Sequence, residues 1–275
     1  MLKFFYQQIS LIWNASVPTL LRRVRIELVC FSFLNMISIQ QTWAAVDLPS
    51  FEQTNSANQS IKEKSKSADF AQENPSIEAR KLADWIAVSI DNKGLPFMIV
   101  DKKQAKAFVF DVDARLLGAA PVLLGIAIGD DSEPGVGKRK LSNIPQNSRT
   151  TPAGRFLASL DRSIHGDEIL WVDYDAAISL HRVVTSNPKE HRAERLATPT
   201  PLDNRISFGC INVPPKFFDK VVSPTFKKSG IVYVLPETRS LATTFTSYGN
   251  YMNTQTQQRS ETLIGPMSAS TMMGK

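Results

Sequence analysis

Short apolar runs bounded by polar or turn-forming residues fill the middle of this chain. They are Phe97–Val100, Ala107–Phe110, Leu123–Ile128, Ile169–Val172, Ile178–Val184 and Ile231–Leu235. Runs this short, rich in Val, Ile and Phe, suit strands better than helices. The first two flank a mostly polar segment, Asp101 to Lys106, and predict a hairpin. One helix precedes them. Asn74-Pro75 offers a cap and a first turn, and Ala79, Leu82, Ala83, Ile86 and Ile90 recur at helical spacing. A second, short helix is expected after Pro214-Pro215, through Phe217, Phe218, Val221 and Val222. Strands outnumber helices, so the fold class is mainly β with short peripheral helices.

The flanks cannot contribute much core. Residues 46–75 are rich in Ser, Asn, Gln, Glu and Lys and read as a flexible linker; residues 239–275 read as a disordered tail. The folded domain is expected over 76–238, an ordinary size for a single core. At the N-terminus the basic cluster Arg22, Arg23 and Arg25 is followed by an interrupted apolar run from Ile26 to Ile39. Small residues follow at Ala44 and Ala45. That order is a signal-peptide signature, so residues 1–45 are expected to be removed on export to the periplasm. An uncleaved membrane anchor is the alternative. Removing 1–45 takes away four bases (Lys3, Arg22, Arg23, Arg25) and one acid (Glu27), so a net charge of +6 falls to +3. Lys138-Arg139-Lys140 is a short solvated patch, and no basic footprint for nucleic acid is present.

Of the two cysteines, Cys30 falls in the exported leader, which leaves Cys210 as a single thiol in an oxidising compartment. It sits after Gly209 in Arg205-Ile206-Ser207-Phe208-Gly209-Cys210-Ile211-Asn212, which reads as a built turn. A thiol nucleophile needs a base to bring its pKa down from about 8.5. The three histidines are His165 in a turn, His181 in a β-like run and His191 in a charged loop. A strand holds its side chains rigidly, which favours His181 as the base. One cysteine and three scattered histidines have no metal-ligand spacing. No metal and no cofactor are expected. Trp85 and Trp171 are expected in the core, and Gly154 at a tight turn.

Ser207-Phe208-Gly209-Cys210-Ile211-Asn212 resembles the nucleophile motif of the L,D-transpeptidases, the YkuD-type domain of bacterial cell-wall enzymes, which usually reads Ser/Thr-His-Gly-Cys-aliphatic-Arg/Asn. Thr151-Pro152-Ala153-Gly154-Arg155-Phe156 is similar to the family's upstream Thr-Pro-x-Gly-x-Phe/Tyr element. Val100 to Gln104 with Phe108–Phe110 is similar to its opening hairpin. The resemblance spans about residues 95–236 and implies an L,D-transpeptidase-like β-sandwich. It implies Cys210 as nucleophile, His181 as general base, the Gly209 backbone N–H as an oxyanion donor and the Arg182 carbonyl as the group orienting His181. Ser207, Phe208, Asn212 and Arg205 are its substrate-binding candidates; Asn212 could equally hold the cysteine loop and Arg205 a surface position. Phe208 departs from the family's histidine, and Arg182 from its small residue. The stretch Asn187–Asn204 is an insertion or lid.

The resemblance further implies a monomeric periplasmic enzyme that acylates itself on peptidoglycan stem peptides and passes the acyl group to an acceptor amine. An L,D-carboxypeptidase or amidase, or a catalytically weak wall-binding protein of the same fold, is the alternative. No nucleic-acid partner is implied, and contact with a membrane only if the leader is retained.

Overall fold

The computed structural model describes residues 67–264, with side chains through 261. The expected signal peptide and most of the linker therefore lie outside the described residues. Among those residues, no helix is long and apolar enough to cross a membrane.

Helix α1 (Ile77–Ser89) leads into β1 (Phe97–Asp101), β2 (Lys106–Phe110), β3 (Leu116–Pro121) and β4 (Leu124–Gly125). Strands β5 (Gly154–Arg162), β6 (Glu168–Asp173) and β7 (Ile178–Arg182) form a meander. Helix α2 (Arg192–Ala197), β8 (Arg205–Ser207) and β9 (Ile211–Val213) come after it. A helical segment is next, α3 (Pro215–Phe217), a π-turn (Phe218–Val222) and α4 (Ser223–Thr225), and then β10 (Gly230–Val234), α5 (Leu241–Thr244) and α6 (Thr246–Ile264). The protein is mainly β with short helices, as its apolar runs require. Eight strands make one sheet in the order β3-β2-β1-β10-β5-β6-β7-β9, and β4 pairs with β8. The sheet curls until its ends meet: Leu123, just past β3, exchanges two backbone hydrogen bonds of 2.9 Å with Asn212 of β9.

Strand alternation shows why the runs are continuously apolar. In β1, Met98 and Val100 enter the core inside the curl, whereas Phe97 and Ile99 enter a second core outside it. Ala107 and Val109 against Phe108 and Phe110 in β2, and Val232 and Val234 against Ile231 and Tyr233 in β10, divide the same way. A sheet covered on both faces has no polar phase. The outer core is closed by α1, which buries Leu82, Ala83, Trp85 and Ile86.

Several boundaries differ from expectation. The cap of α1 is Ser76, whose hydroxyl accepts the Ala79 N–H at 3.1 Å, so Asn74 and Pro75 precede the helix. Ile90 ends it in a left-handed conformation and is exposed. The linker is shorter than its composition suggests, because Ala68 and Phe70 are buried in the outer core and Asp69 bridges to Arg115. The expected disordered tail contains α5 and α6 instead. Leu241, Phe245 and Tyr248, at helical spacing, pack on the outer core, and Tyr248 meets the Trp85 ring edge to face. Three apolar residues in a polar context are enough to dock a segment whose composition reads as tail. Strands β3, β5, β8 and β9 lie outside the apolar runs singled out in the sequence, and the 123–128 run contributes only the two residues of β4.

Candidate active site

The curl sets the site. Strands β7 and β9 are parallel neighbours, with His181 opposite Asn212, so the turn between β8 and β9 holds Cys210 beside the histidine strand. That turn is held by hydrogen bonds of the hydroxyls of Ser207 and Thr151. Ser207 Oγ accepts the Gly209 N–H at 3.0 Å and donates to the Cys210 carbonyl at 2.6 Å. Thr151 Oγ1 donates to the Gly209 carbonyl at 2.8 Å and accepts the Gly125 N–H at 2.9 Å. Gly209 adopts φ +124°, and a Cβ there would lie 2.6 Å from the Thr150 carbonyl oxygen and 2.7 Å from Ile178 Cδ1. Only glycine fits. The Thr-Pro-x-Gly segment thus runs directly beneath the cysteine turn.

The half-buried Cys210 thiol is the free cysteine among the described residues. Its Sγ lies 3.7 Å from Ser179 Oγ and 3.7 Å from the Ala177 carbonyl, and it interacts electrostatically with the neighbouring His181 imidazole. Burial pushes the thiol up, but the hydrogen bond and charge of His181 outweigh it. With the Ser179 backbone N–H and hydroxyl, they bring its pKa below the ordinary thiol value. Burial would lower the imidazole of His181, whereas its hydrogen bond to Cys210, the charge there and the Arg182 carbonyl raise it. Arg192 opposes the rise. The two groups thus move toward a thiolate–imidazolium pair. His181 Nδ1 lies 2.7 Å from the Arg182 carbonyl oxygen. A carbonyl only accepts, so Nδ1 carries hydrogen and Nε2 is left for proton exchange.

A cleft of about 550 Å³ opens over this pair. Cys210, His181, Arg182 and Ser179 line it, together with Trp171 and with Ile164 and His165 of the β5–β6 turn. Among the described residues no cluster of three or more His, Cys, Asp or Glu side chains could hold a metal ion.

The structure brings together Cys210, His181, Gly209 and the Arg182 carbonyl. The other expected site residues are engaged within the protein and do not line the cleft. Arg205 ion-pairs with Glu237 and donates to the carbonyls of Lys102 at 3.2 Å and Gly125 at 3.3 Å. Phe208 lies under the Arg149 guanidinium, 3.8 Å from its ring centroid. Ser207 ties the turn. Asn212 is fully buried, with Nδ2 3.4 Å from His181 Nε2 and 3.3 Å from the Cys210 carbonyl. The Gly209 N–H, expected as an oxyanion donor, is engaged within the turn by Ser207 Oγ at 3.0 Å. The Arg182 side chain is taken by Asp219 at 2.6 Å and the Glu168 carbonyl at 3.1 Å, and stacks over Phe218. Ser179 and Trp171 line the site although nothing in the sequence pattern singled them out for it. Ser179 precedes His181 by two, so strand alternation places both on one face. Trp171, expected in the core, is partly exposed and stacks on Tyr174 at 4.8 Å.

No protein-family model matches the chain, and no curated protein matches it. Solved structures do. The catalytic domain of an L,D-transpeptidase from E. faecium aligns at 15 % identity and TM-score 0.31, over 51 % of this chain and 96 % of that one. An L,D-transpeptidase from Xylanimonas cellulosilytica aligns at 12 % and 0.33, over 51 % of this chain and 60 % of that one. The helical cell shape determining protein Pgp2 from Campylobacter jejuni aligns at 13 % and 0.35, over 58 % and 57 %. The chain thus spans less than two thirds of the latter two. Likeness at this level concerns fold alone, and no residue's role rests on it.

Proposed function

We propose that this chain is a cysteine-dependent L,D-transpeptidase that works on peptidoglycan stem peptides through a thioester acyl-enzyme. One observation carries the reading: a free thiol and an imidazole line the same cleft, with imidazole Nδ1 tied to a backbone carbonyl so that Nε2 is left for proton exchange. In the proposed reaction, His181 Nε2 takes the Cys210 proton and the thiolate attacks the carbonyl of an L-centre residue. The Cys210 N–H meets the oxyanion that forms; loss of one such donor typically costs about 3 kcal/mol. The C–N bond to the terminal D-amino acid then breaks, and His181 returns its proton to the departing amine. An acceptor amine attacks the thioester, loses a proton to His181 and gives a new amide, with the thiolate released. Export to the periplasm belongs to the same proposal.

The test is acylation by a carbapenem, read by intact mass and mapped to Cys210, followed by digestion of purified sacculi with product mass analysis. New cross-links support transfer to an amine, and trimmed stems alone would assign hydrolysis. A chain that neither takes up the carbapenem nor alters sacculi overturns the reading, and co-sedimentation with sacculi would then favour a wall-binding protein of this fold.

A further inference from the structure

The insertion between β7 and β8 reaches the reactive pair. Arg192, at the start of α2, is mostly buried and donates from Nη1 to Asn212 Oδ1 at 2.7 Å. Its Nε pairs with Glu190 Oε2 at 2.5 Å. The short helix is anchored in turn: Arg195 donates to the carbonyls of Glu190 at 2.8 Å and Asp203 at 2.7 Å, and Leu196 is buried. Guanidinium groups only donate, so the Arg192 contact defines which end of the Asn212 amide is oxygen. The Nδ2 end must then face His181 Nε2 and the Cys210 carbonyl, at 3.4 and 3.3 Å.

From this chain of contacts we infer that Arg192 is a positioning residue: by orienting the Asn212 amide with its N–H toward His181 Nε2, it keeps hydrogen on Nδ1 and resists the protonation of Nε2 that the thiol favours. An Nδ2–H group can donate to Nε2 only while Nε2 is unprotonated, and the Arg182 carbonyl secures the other nitrogen. The Arg192 charge acts in the same sense, opposing imidazolium formation. Other charges near His181 are accounted for. Arg182 is paired with Asp219, Glu190 is held by Arg192, and Asp167, Glu168 and His165 lie along the same cleft. The inference rests on reading Cys210–His181 as the reactive pair, but its readout does not involve turnover.

The experiment is an NMR titration of the full chain in a Cys210→Ala background, where the His181 midpoint is not coupled to a thiol. Three histidines make assignment by single His→Ala changes direct. Arg192→Met is expected to raise the His181 midpoint by about half a pH unit or more. Its ring-nitrogen shifts should move from the Nδ1–H form toward a mixture of tautomers. Arg192→Lys, which keeps a donor and a charge, should restore most of both. Lys189→Gln removes a charge from the same insertion without touching the pair and should change neither. If Arg192→Met does not fold, Arg192→Gln carries the same expectation for the midpoint. An unchanged midpoint and tautomer on loss of Arg192, or an equal shift in Lys189→Gln, overturns the inference. Failure of carbapenem acylation with the Arg192 shift intact would instead count against the proposed function alone.

Discussion

At the scale of single residues, the Cys210–His181 pair makes the sharpest demands. Cys210→Ala is expected to abolish acylation while leaving the melting temperature close to wild type, since the thiol is only half-buried; wild-type-like turnover would exclude it as nucleophile. Alkylation by iodoacetamide should show a midpoint below that of free cysteine, and the rate should fall as pH drops through the lowered thiol pKa. In His181→Ala the stabilising partner is gone and burial of the thiol is left, so the midpoint should move up instead. The rate at neutral pH should drop, by as much as the roughly 100- to 10,000-fold that a general base contributes. His165→Ala and His191→Ala should leave the profile in place. Both residues of the proposed pair stood out in the sequence. The thiol stands alone beside a glycine, and the imidazole sits in a β-like run. Ser179 was legible in principle, by alternation from His181. The engagement of Arg205 with Glu237 was not, because it joins residues distant in the chain.

At the scale of elements, the β8–β9 turn and the C-terminal helices carry the tests. Gly209→Ala would place a Cβ against the Thr150 carbonyl and Ile178 Cδ1, and its positive φ disfavours a side chain in any case. The variant is expected to lose about 1–3 kcal/mol in urea denaturation. Its Cys210 should also alkylate more slowly, because the turn must shift to relieve the contact. In the outer core, Phe245→Ala removes a buried ring stacked edge-on against Tyr233. It should cost about 3–5 kcal/mol by thermal or chemical denaturation. A loss within about 0.5 kcal/mol, the range of a typical surface change, would mean that α5 and α6 are not part of the folded domain. The helices were not legible in the sequence because Leu241, Phe245 and Tyr248 are too few to stand out in a polar segment, although their spacing is helical.

At the scale of the whole molecule, a buried ionic cluster joins segments far apart in the chain. Lys102, fully buried after β1, contacts Asp130 at 2.8 Å and donates to the Gly129 and Thr151 carbonyls. Asp130 also accepts the N–H groups of Glu237, Thr238 and Arg239, and Glu237 pairs with Arg205. The cluster therefore braces the segment that carries Thr151 under the cysteine turn. Burial would raise the Asp130 carboxyl, but Lys102, Thr238 and the backbone N–H groups hold it far below the usual carboxylate range. A group depressed on folding contributes stability above its unfolded pKa and loses it as pH falls. Wild type should thus lose stability below about pH 4. Asp130→Asn should be less stable at neutral pH by about 3–5 kcal/mol, since it removes the carboxylate nearest the buried Lys102 and leaves only Glu237, at 3.4 Å, to balance its charge. It should also show a flatter acid limb; an acid limb as steep as wild type would remove Asp130 from the acid response.

The mainly β class, the opening hairpin and the helix before it were determined by local pattern, and the residues of the proposed pair stood out in it. Apolar runs, turn residues and a lone thiol act over a few positions and can be read from the chain alone. Closure of the sheet through Leu123 and Asn212, the seating of Thr151 beneath Gly209, the removal of Arg205 and Asn212 from the cleft and the reach of Arg192 to Asn212 were decided only in three dimensions. Each depends on residues brought together by the curl of the sheet. A single hydrogen bond or ion pair between distant segments has no periodicity in sequence, because its geometry exists only once the intervening strands have packed.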